Sequence, residues 1–592
     1  MSKKQLMLGN DAVAQGLYDA GVCVASSYPG TPSTEVTETL AEFRDIYTEW
    51  APNEKVAFEV AFGASLGGVR SFCAMKHVGL NVAADPLFTM SYTGVGAGLV
   101  VVVADDPGMH SSQNEQDSRH YAIASKVPML EPSDSRECYE YAKAAFEISE
   151  RFDTPVLLRL CTRVSHSQSL VETTGRGAVT PKMYARDLAK YVMMPGNAKR
   201  RHPIVENRTR ALIEYAETSP LNSLELGECR ELGIICSGTA YQYVREVLGE
   251  GASVLKLGLV NPLPEKLIRD FADAVDSLIV IEELDPVIEN HVKTLGIECH
   301  GKDMFPLCDE FSQNLVARIL DSAPHTGSMR TSTPTDIVAI DAPIPARPPV
   351  MCAGCPHRGM FYTLSKNKVR VFGDIGCYTL GAAAPLAAID TTLCMGASVT
   401  TLHGYTHAQA FGDGDDVKTA CVIGDSTFMH SGVTGLINTA YNGGASTVII
   451  LDNSITGMTG HQQNPTTGLD IHGDPAGKID LEALCRAIGI TRVRVVDPYN
   501  LAECEAAVTE ETAADELSVI ISRRPCALLK TVKAKPPLTV NAEKCVKCKA
   551  CMKIGCPAIS MTDDGAVIDD TLCVGCGVCA QLCKFGALEV QA

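Results

Sequence analysis

Eight cysteines between positions 545 and 583 stand in two runs, Cys545-x2-Cys548-x2-Cys551-x4-Cys556 and Cys573-x2-Cys576-x2-Cys579-x3-Cys583. Three cysteines at CxxCxxC spacing with a fourth close behind form the ligand pattern of [4Fe–4S] clusters, where four thiolates hold each cube. In two-cluster folds the fourth cysteine of each run serves the other cluster. The pattern predicts Cys545, Cys548, Cys551 and Cys583 around one cube, and Cys573, Cys576, Cys579 and Cys556 around the other. Zinc sites pair two CxxC units instead of running three cysteines in tandem, which disfavours zinc. The chemistry is the movement of single electrons.

A second constellation lies upstream. Gly424-Asp425-Ser426 follows the apolar run 421–423, and Asp452-Asn453 follows the run 447–451. A strand-end carboxylate and a strand-end amide about thirty residues later can share one octahedral Mg²⁺ with diphosphate oxygens. Glycines around Ser431-Gly432 let backbone N–H groups approach that diphosphate. Ordinary strand-to-loop turns capped by Asp and Asn are the competing explanation. Cys352-Ala-Gly-Cys355, with Cys377 further on, is equally compatible with a redox pair, a structural pair or part of a further cluster.

Elements able to position these groups are legible as apolar runs. The runs 22–26, 99–104 and 156–160 alternate with helical patterns over about 1–195, as buried parallel strands do in α/β folds. The stretch 197–210 is polar and basic and reads as a linker or exposed helical connector. Runs at 233–236, 253–257 and 278–281 suit a small βαβ domain over 228–325. The Pro-rich segment 342–349 marks a linker. A third α/β stretch, 345–533, carries strands at 368–372, 419–423 and 446–451, and a junction at 533–537 precedes the tail, 537–592.

Composition narrows the class. A formal charge of −19 over 592 residues argues against nucleic acid as partner, because phosphate binding needs basic patches. No apolar stretch approaches the ~20 residues needed to cross a bilayer. The start, MSKKQLMLGNDAV, has neither an apolar h-region nor a cleavage site, and 24 cysteines without a secretion signal point to metal or redox chemistry. A cytoplasmic protein is expected.

The segments GDSTFMHSGVTGLINTAYN and LDNSITGMTGHQ resemble the pyrophosphate-binding domain of the 2-oxoacid:ferredoxin oxidoreductase family, above all the large subunits of its indolepyruvate branch. The resemblance extends over GNDAVAQG, SSYPGTPSTEV, HSSQNEQDSRHYA, CAGCPHR and the ferredoxin-like tail, so it covers essentially the whole chain. It implies an α/β fold of several doubly wound thiamine-diphosphate-type domains with a small α+β two-cluster ferredoxin domain. Residues 1–195 would bind the aminopyrimidine, 228–325 would be a transketolase-C-terminal-like domain, 345–533 the pyrophosphate domain and 537–592 the ferredoxin domain. Mg²⁺ would be held by Asp425, Asn453 and the carbonyl of Ile455, with Gly424 and Ser426 at the diphosphate. Glu59 would meet a ring nitrogen of the cofactor and promote its activation. Glu59 sits amid Val56, Ala57, Phe58, Val60 and Ala61, surroundings in which an acid needs a partner.

The same resemblance puts Thr31, in Tyr28-Pro-Gly-Thr31-Pro32, and His110 near the 2-oxoacid. Met458 stands near a position where pyruvate-using relatives carry asparagine, and an adaptable thioether suits a bulky aromatic substrate. Cys352, Cys355, Cys377 and Cys526 match places where pyruvate-oxidising relatives hold a third cluster. The tail departs from bacterial ferredoxins in its x4 spacing before Cys556 and in Lys584 where proline is usual. The implied reaction is oxidative decarboxylation of an aryl 2-oxoacid with coenzyme A to acyl-CoA, electrons leaving through [4Fe–4S] clusters to ferredoxin. A smaller beta subunit is implied as partner, in a heteromer with two copies of each. Two other readings remain: a non-oxidative thiamine-dependent decarboxylase or synthase, which has no use for the tail, and a non-catalytic electron-carrier subunit, which has no use for Glu59, Asp425 and Asn453.

Overall fold

The computed structural model describes residues 3–228, 230–321, 345, 348–411 and 416–590. The chain divides into two units, 1–340 and 341–592. The Pro-rich segment 342–349 lies largely outside the described residues.

The first unit is built on a seven-stranded sheet. Its order is Leu259–Asn261, Met129–Leu130, Val156–Cys161, Leu99–Asp105, Ser71–Lys76, Val24–Ser27, Tyr47–Trp50. All neighbours are parallel except the edge strand Leu259–Asn261. The central strands are continuous apolar runs because helices cover both faces. A four-stranded sheet follows, ordered Ser277–Ile281, Leu232–Ser237, Ser253–Leu257, Ser223–Glu225. One apolar core, including Phe58, Met75, Val101, Leu257 and Phe271, is shared by the two sheets. The region after residue 228 is therefore not self-contained: it lends Leu259–Asn261 to the first sheet and takes Ser223–Glu225 from before it.

The basic stretch after residue 195 is one helix, Pro195–Ala216. It is not an exposed connector, because Arg201 and Arg208 are buried along it. Arg208 donates to the carbonyls of Ser91 and Asp153, and Arg201 to that of Tyr92. Guanidinium groups that satisfy carbonyls in this way turn a polar sequence into a packed face.

The second unit carries a five-stranded parallel sheet ordered Arg370–Phe372, Thr419–Gly424, Thr447–Asp452, Ser518–Arg523, Arg492–Val496. Separate apolar cores fill its two faces. The tail is clasped by Leu538–Val540 paired antiparallel with Leu588–Val590, and it holds a hairpin, Ile559–Thr562 with Gly565–Ile568. Its few buried apolar residues, among them Leu538, Ile559 and Leu588, make a core too small to organise so many loops alone. Among the described residues no helix is long and apolar enough to cross a membrane.

Candidate functional site

Two adjacent parallel strands, Thr419–Gly424 and Thr447–Asp452, end side by side and deliver Asp425 and Asn453 to one point. The Asn453 side chain lies 3.1 Å from Asp425 Oδ1 and 2.7 Å from the carbonyl oxygen of Ile455. With the amide oxygen turned inward, three oxygens converge with no donor among them, the donor set of a hard divalent cation. In the opposite orientation of the amide its N–H₂ donates to both. Asp425, Asn453 and Ile455 are all buried. Burial, and then the neighbouring Asp452, push the Asp425 carboxyl up to about 7, and a divalent cation would supply the missing charge. These residues fit Mg²⁺.

Asp425 is also held from a direction the sequence did not advertise. Thr466 Oγ1 donates to its Oδ2 at 3.1 Å and Asn464 Nδ2 at 3.4 Å. Thr456 Oγ1 donates to Ser426 Oγ at 2.9 Å. Gly424 is required by packing, since a Cβ there would stand 2.6 Å from the Tyr378 ring. Met458 is exposed on the loop that follows.

Four cysteines gather beside this point. The backbone N–H of Cys526 donates to the carbonyl of Asn453 at 2.9 Å, and a Cβ on Gly457 would stand 3.5 Å from Cys377 Sγ. Burial pushes the Cys377 thiol up to about 11, with the sulfurs of Cys526 and Cys352 adding to the shift. Cys355 is pushed up to about 12, by burial first, against a backbone N–H from His357 and the Arg358 charge, with Cys352 and Cys377 adding. Thiols so placed resist ionising unless a metal takes the thiolate.

The tail cysteines fall into two sets. Cys545, Cys548, Cys551 and Cys583 line one cavity; Cys556, Cys573, Cys576 and Cys579 line another. Each set takes one cysteine from the opposite run. Backbone N–H groups of Ala566 and Lys547 hold the Cys545 thiol below its usual range, and Ala587 N–H donates to Cys583 Sγ at 3.2 Å. Among the described residues no three His, Cys, Asp or Glu side chains crowd to the spacing of a single ion. Sulfurs standing apart around a cavity, with N–H groups aimed at them, fit a four-iron cube. Ala353 and Gly354 of the Cys352–Cys355 loop line the second cavity, so the loop at the strand ends and the tail meet there.

In the first unit, Thr31 is half-buried, and its carbonyl accepts from Ser111 Oγ at 3.4 Å. Ser111 also receives Lys76: Nζ donates to its carbonyl at 2.7 Å and to its Oγ at 3.3 Å. Lys76 ends the central strand Ser71–Lys76 and is buried, which lowers its pKa to about 8 against the opposing pull of Asp106. A lysine closing an apolar strand was the signal that sequence reasoning passed over. His110, on the same loop as Ser111, pairs with Glu310 at 3.1 Å.

Glu59 departs from the expectation drawn from its neighbours. On helix Glu54–Leu66, Ala57, Phe58 and Ala61 face the core with no exposure, and the helical period turns position 59 outward. Its side chain is 45% exposed within the chain and pairs with Lys55. The buried acid of this helix is Glu54.

A parallel-sheet site with a divalent-cation donor set is joined to a cysteine-rich tail, and the family matches make this a thiamine diphosphate-dependent oxidoreductase with an iron–sulfur domain. Residues 374–522 match the thiamine pyrophosphate enzyme C-terminal TPP-binding domain. Residues 15–220 match the thiamine diphosphate-binding domain of pyruvate flavodoxin/ferredoxin oxidoreductase, and 566–589 a 4Fe-4S binding domain. Indolepyruvate oxidoreductase subunit IorA of Archaeoglobus fulgidus is 40% identical over 99% of this chain and 97% of its own length. That of Pyrococcus horikoshii is 39% identical with the same coverage. The chain belongs to the indolepyruvate oxidoreductase IorA family, within the 2-oxoacid:ferredoxin oxidoreductases. The 2-oxoglutarate synthase subunit KorA of A. fulgidus is 23% identical over 48% of this chain. Among solved structures, a 2-oxoglutarate:ferredoxin oxidoreductase from Magnetococcus marinus aligns with a TM-score of 0.47 and 18% identity, over 54% of this chain and 65% of its own.

Proposed function

We propose that this chain is the thiamine-bearing subunit of an enzyme that oxidatively decarboxylates aryl 2-oxoacids to acyl-CoA. Indolepyruvate and phenylpyruvate are the substrate type, and ferredoxin takes the electrons. The observation that carries this reading is the convergence of Asp425, Asn453 and Ile455 oxygens beside Cys377 and Cys526. A cofactor that serves as carbanion sink thereby lies next to a one-electron outlet. Asp425, Asn453 and the Ile455 carbonyl would hold Mg²⁺, with Gly424 and Ser426 at the diphosphate.

Cys352, Cys355, Cys377 and Cys526 hold a third [4Fe–4S] cluster, and the two tail sets hold the others. Cys526 follows the metal site and Gly354 lines the cavity of Cys556, Cys573, Cys576 and Cys579. The route then runs outward to Cys545, Cys548, Cys551 and Cys583. Residues 1–195 and 345–533 are the aminopyrimidine and pyrophosphate domains, 228–325 a transketolase-C-terminal-like domain and 537–592 the ferredoxin domain. Glu59 meets the cofactor ring, Thr31 and His110 lie at the 2-oxoacid, and Met458 faces the aryl group. These roles rest on family resemblance. The partner is a smaller beta subunit, two copies of each forming a cytoplasmic heteromer.

The test is anaerobic reduction of a viologen dye by a panel of 2-oxoacids, using the heteromer with and without thiamine diphosphate and coenzyme A. Reduction that favours arylpyruvates and needs the cofactor supports the reading. Cofactor-independent reduction, or a preference for pyruvate, refutes it.

A further inference from the structure

The outermost cysteine set gathers five lysines, with Glu543, Asp563, Asp564 and Glu589 as the acidic residues beside them, on a chain of net charge −19. Lys544, Lys547, Lys549, Lys553 and Lys584 lie within or beside its runs, and all are exposed. Lys544, Lys547 and Lys549 line the same cavity as Cys545, Cys548, Cys551 and Cys583, together with Val546 and Phe585, each about half exposed. Cys548 is itself exposed.

Two of these lysines hold a backbone conformation that costs an L residue roughly 1 kcal/mol or more. Lys547 and Lys549 have φ of 56° and 58°. The second run, Cys573-Val-Gly-Cys576-Gly-Val-Cys579, meets the same demand with Gly575 and Gly577, at φ of 64° and 76°. The two runs share their CxxCxxC spacing and the positive φ at these positions, yet only the outward one keeps lysine where glycine is unstrained. Residues held in such regions point to use of the side chain. Among the described residues Lys549, Lys553 and Lys584 form no ion pair, while Lys544 pairs with Glu589 and Lys547 caps the carbonyl of Asp563.

We infer that this face docks an acidic, ferredoxin-type electron carrier; the inference rests on the reading of the tail as the electron outlet. An acidic carrier is repelled by most of this chain and attracted here, which selects one orientation. Val546 and Phe585 supply apolar contact at the edge where Cys548 comes to the surface. A cluster held by Cys545, Cys548, Cys551 and Cys583 would supply one electron per encounter, its oxidation matched by reduction of the carrier's own cluster, and this face would bring the carrier to the exposed Cys548 twice for each 2-oxoacid.

The experiment uses the loaded heteromer, an acidic two-cluster bacterial ferredoxin, a flavodoxin and methyl viologen. K547E/K549E/K584E should lower kcat/KM for the ferredoxin at least about tenfold at low salt and flatten its salt dependence. Viologen reduction should stay within about twofold. K547G/K549G removes the strain, so it should keep the cluster absorbance and thermal stability while slowing the ferredoxin at least about threefold. Wild-type ferredoxin rates in both variants at low salt would overturn the inference, as would loss confined to the flavodoxin. Stopped-flow transfer from dithionite-reduced protein needs no 2-oxoacid, so it tests the face even if the substrate reading fails.

Discussion

The Arg358 guanidinium donates to the carbonyl of Gly555 at 2.5 Å, tying the loop that carries Cys352 and Cys355 to the residue before Cys556. It also donates to the carbonyls of Ile554, at 3.2 Å, Cys352, at 3.1 Å, and Met351. Arg358 is buried, and among the described residues it has no carboxylate partner. A buried cation between two cysteine sets favours the more negative, reduced state of whatever they hold. R358Q should therefore lower a cluster midpoint by on the order of 60 mV, a tenfold change in a one-electron equilibrium. R358K should retain most of the wild-type value. Redox titration followed by EPR measures this, and identical potentials in all three proteins would reduce Arg358 to a structural tie.

Iron content separates the cluster arrangements. Purified wild-type protein should carry about twelve irons per chain, and C377S or C526S about eight. Eight in the wild type would leave Cys352, Cys355, Cys377 and Cys526 without a cube.

At the strand ends, D425A should weaken Mg²⁺–thiamine diphosphate binding at least about a hundredfold, because it removes the one charged ligand. N453A removes a neutral ligand and should cost less. Calorimetric titration of the cofactor reads both, and equal affinity in D425A would remove Asp425 from the metal site.

Lys76 gives a pH signature. Its folded pKa, about 8, lies below the ordinary 10.5, so between these values the unfolded chain binds more protons than the folded one. Stability should therefore rise as pH climbs from about 8 to 10.5, by up to about 3 kcal/mol, and be flat in this term below 8. K76M should lose that rise and be the more stable protein near neutral pH. Thermal melts across pH 7–10 give the comparison.

Much of this was legible in the residues. Cysteine spacing announced an iron–sulfur tail, and apolar runs ending in Gly424-Asp425 and Asp452-Asn453 announced strands that deliver ligands to a sheet edge, since a parallel strand buried on both faces leaves only its end for polar chemistry. Tertiary structure decided what depends on neighbours distant in sequence. It turned Glu59 outward and buried Arg201 and Arg208, because burial follows which face of a helix meets a sheet and not which residues adjoin in the chain. It brought Thr466 and Asn464 onto Asp425, set Lys76 against Ser111, and placed Arg358 between the two cysteine sets. The sequence by itself determined the ligand types. Only the fold decided their company, since contacts made across hundreds of residues leave no local pattern to read.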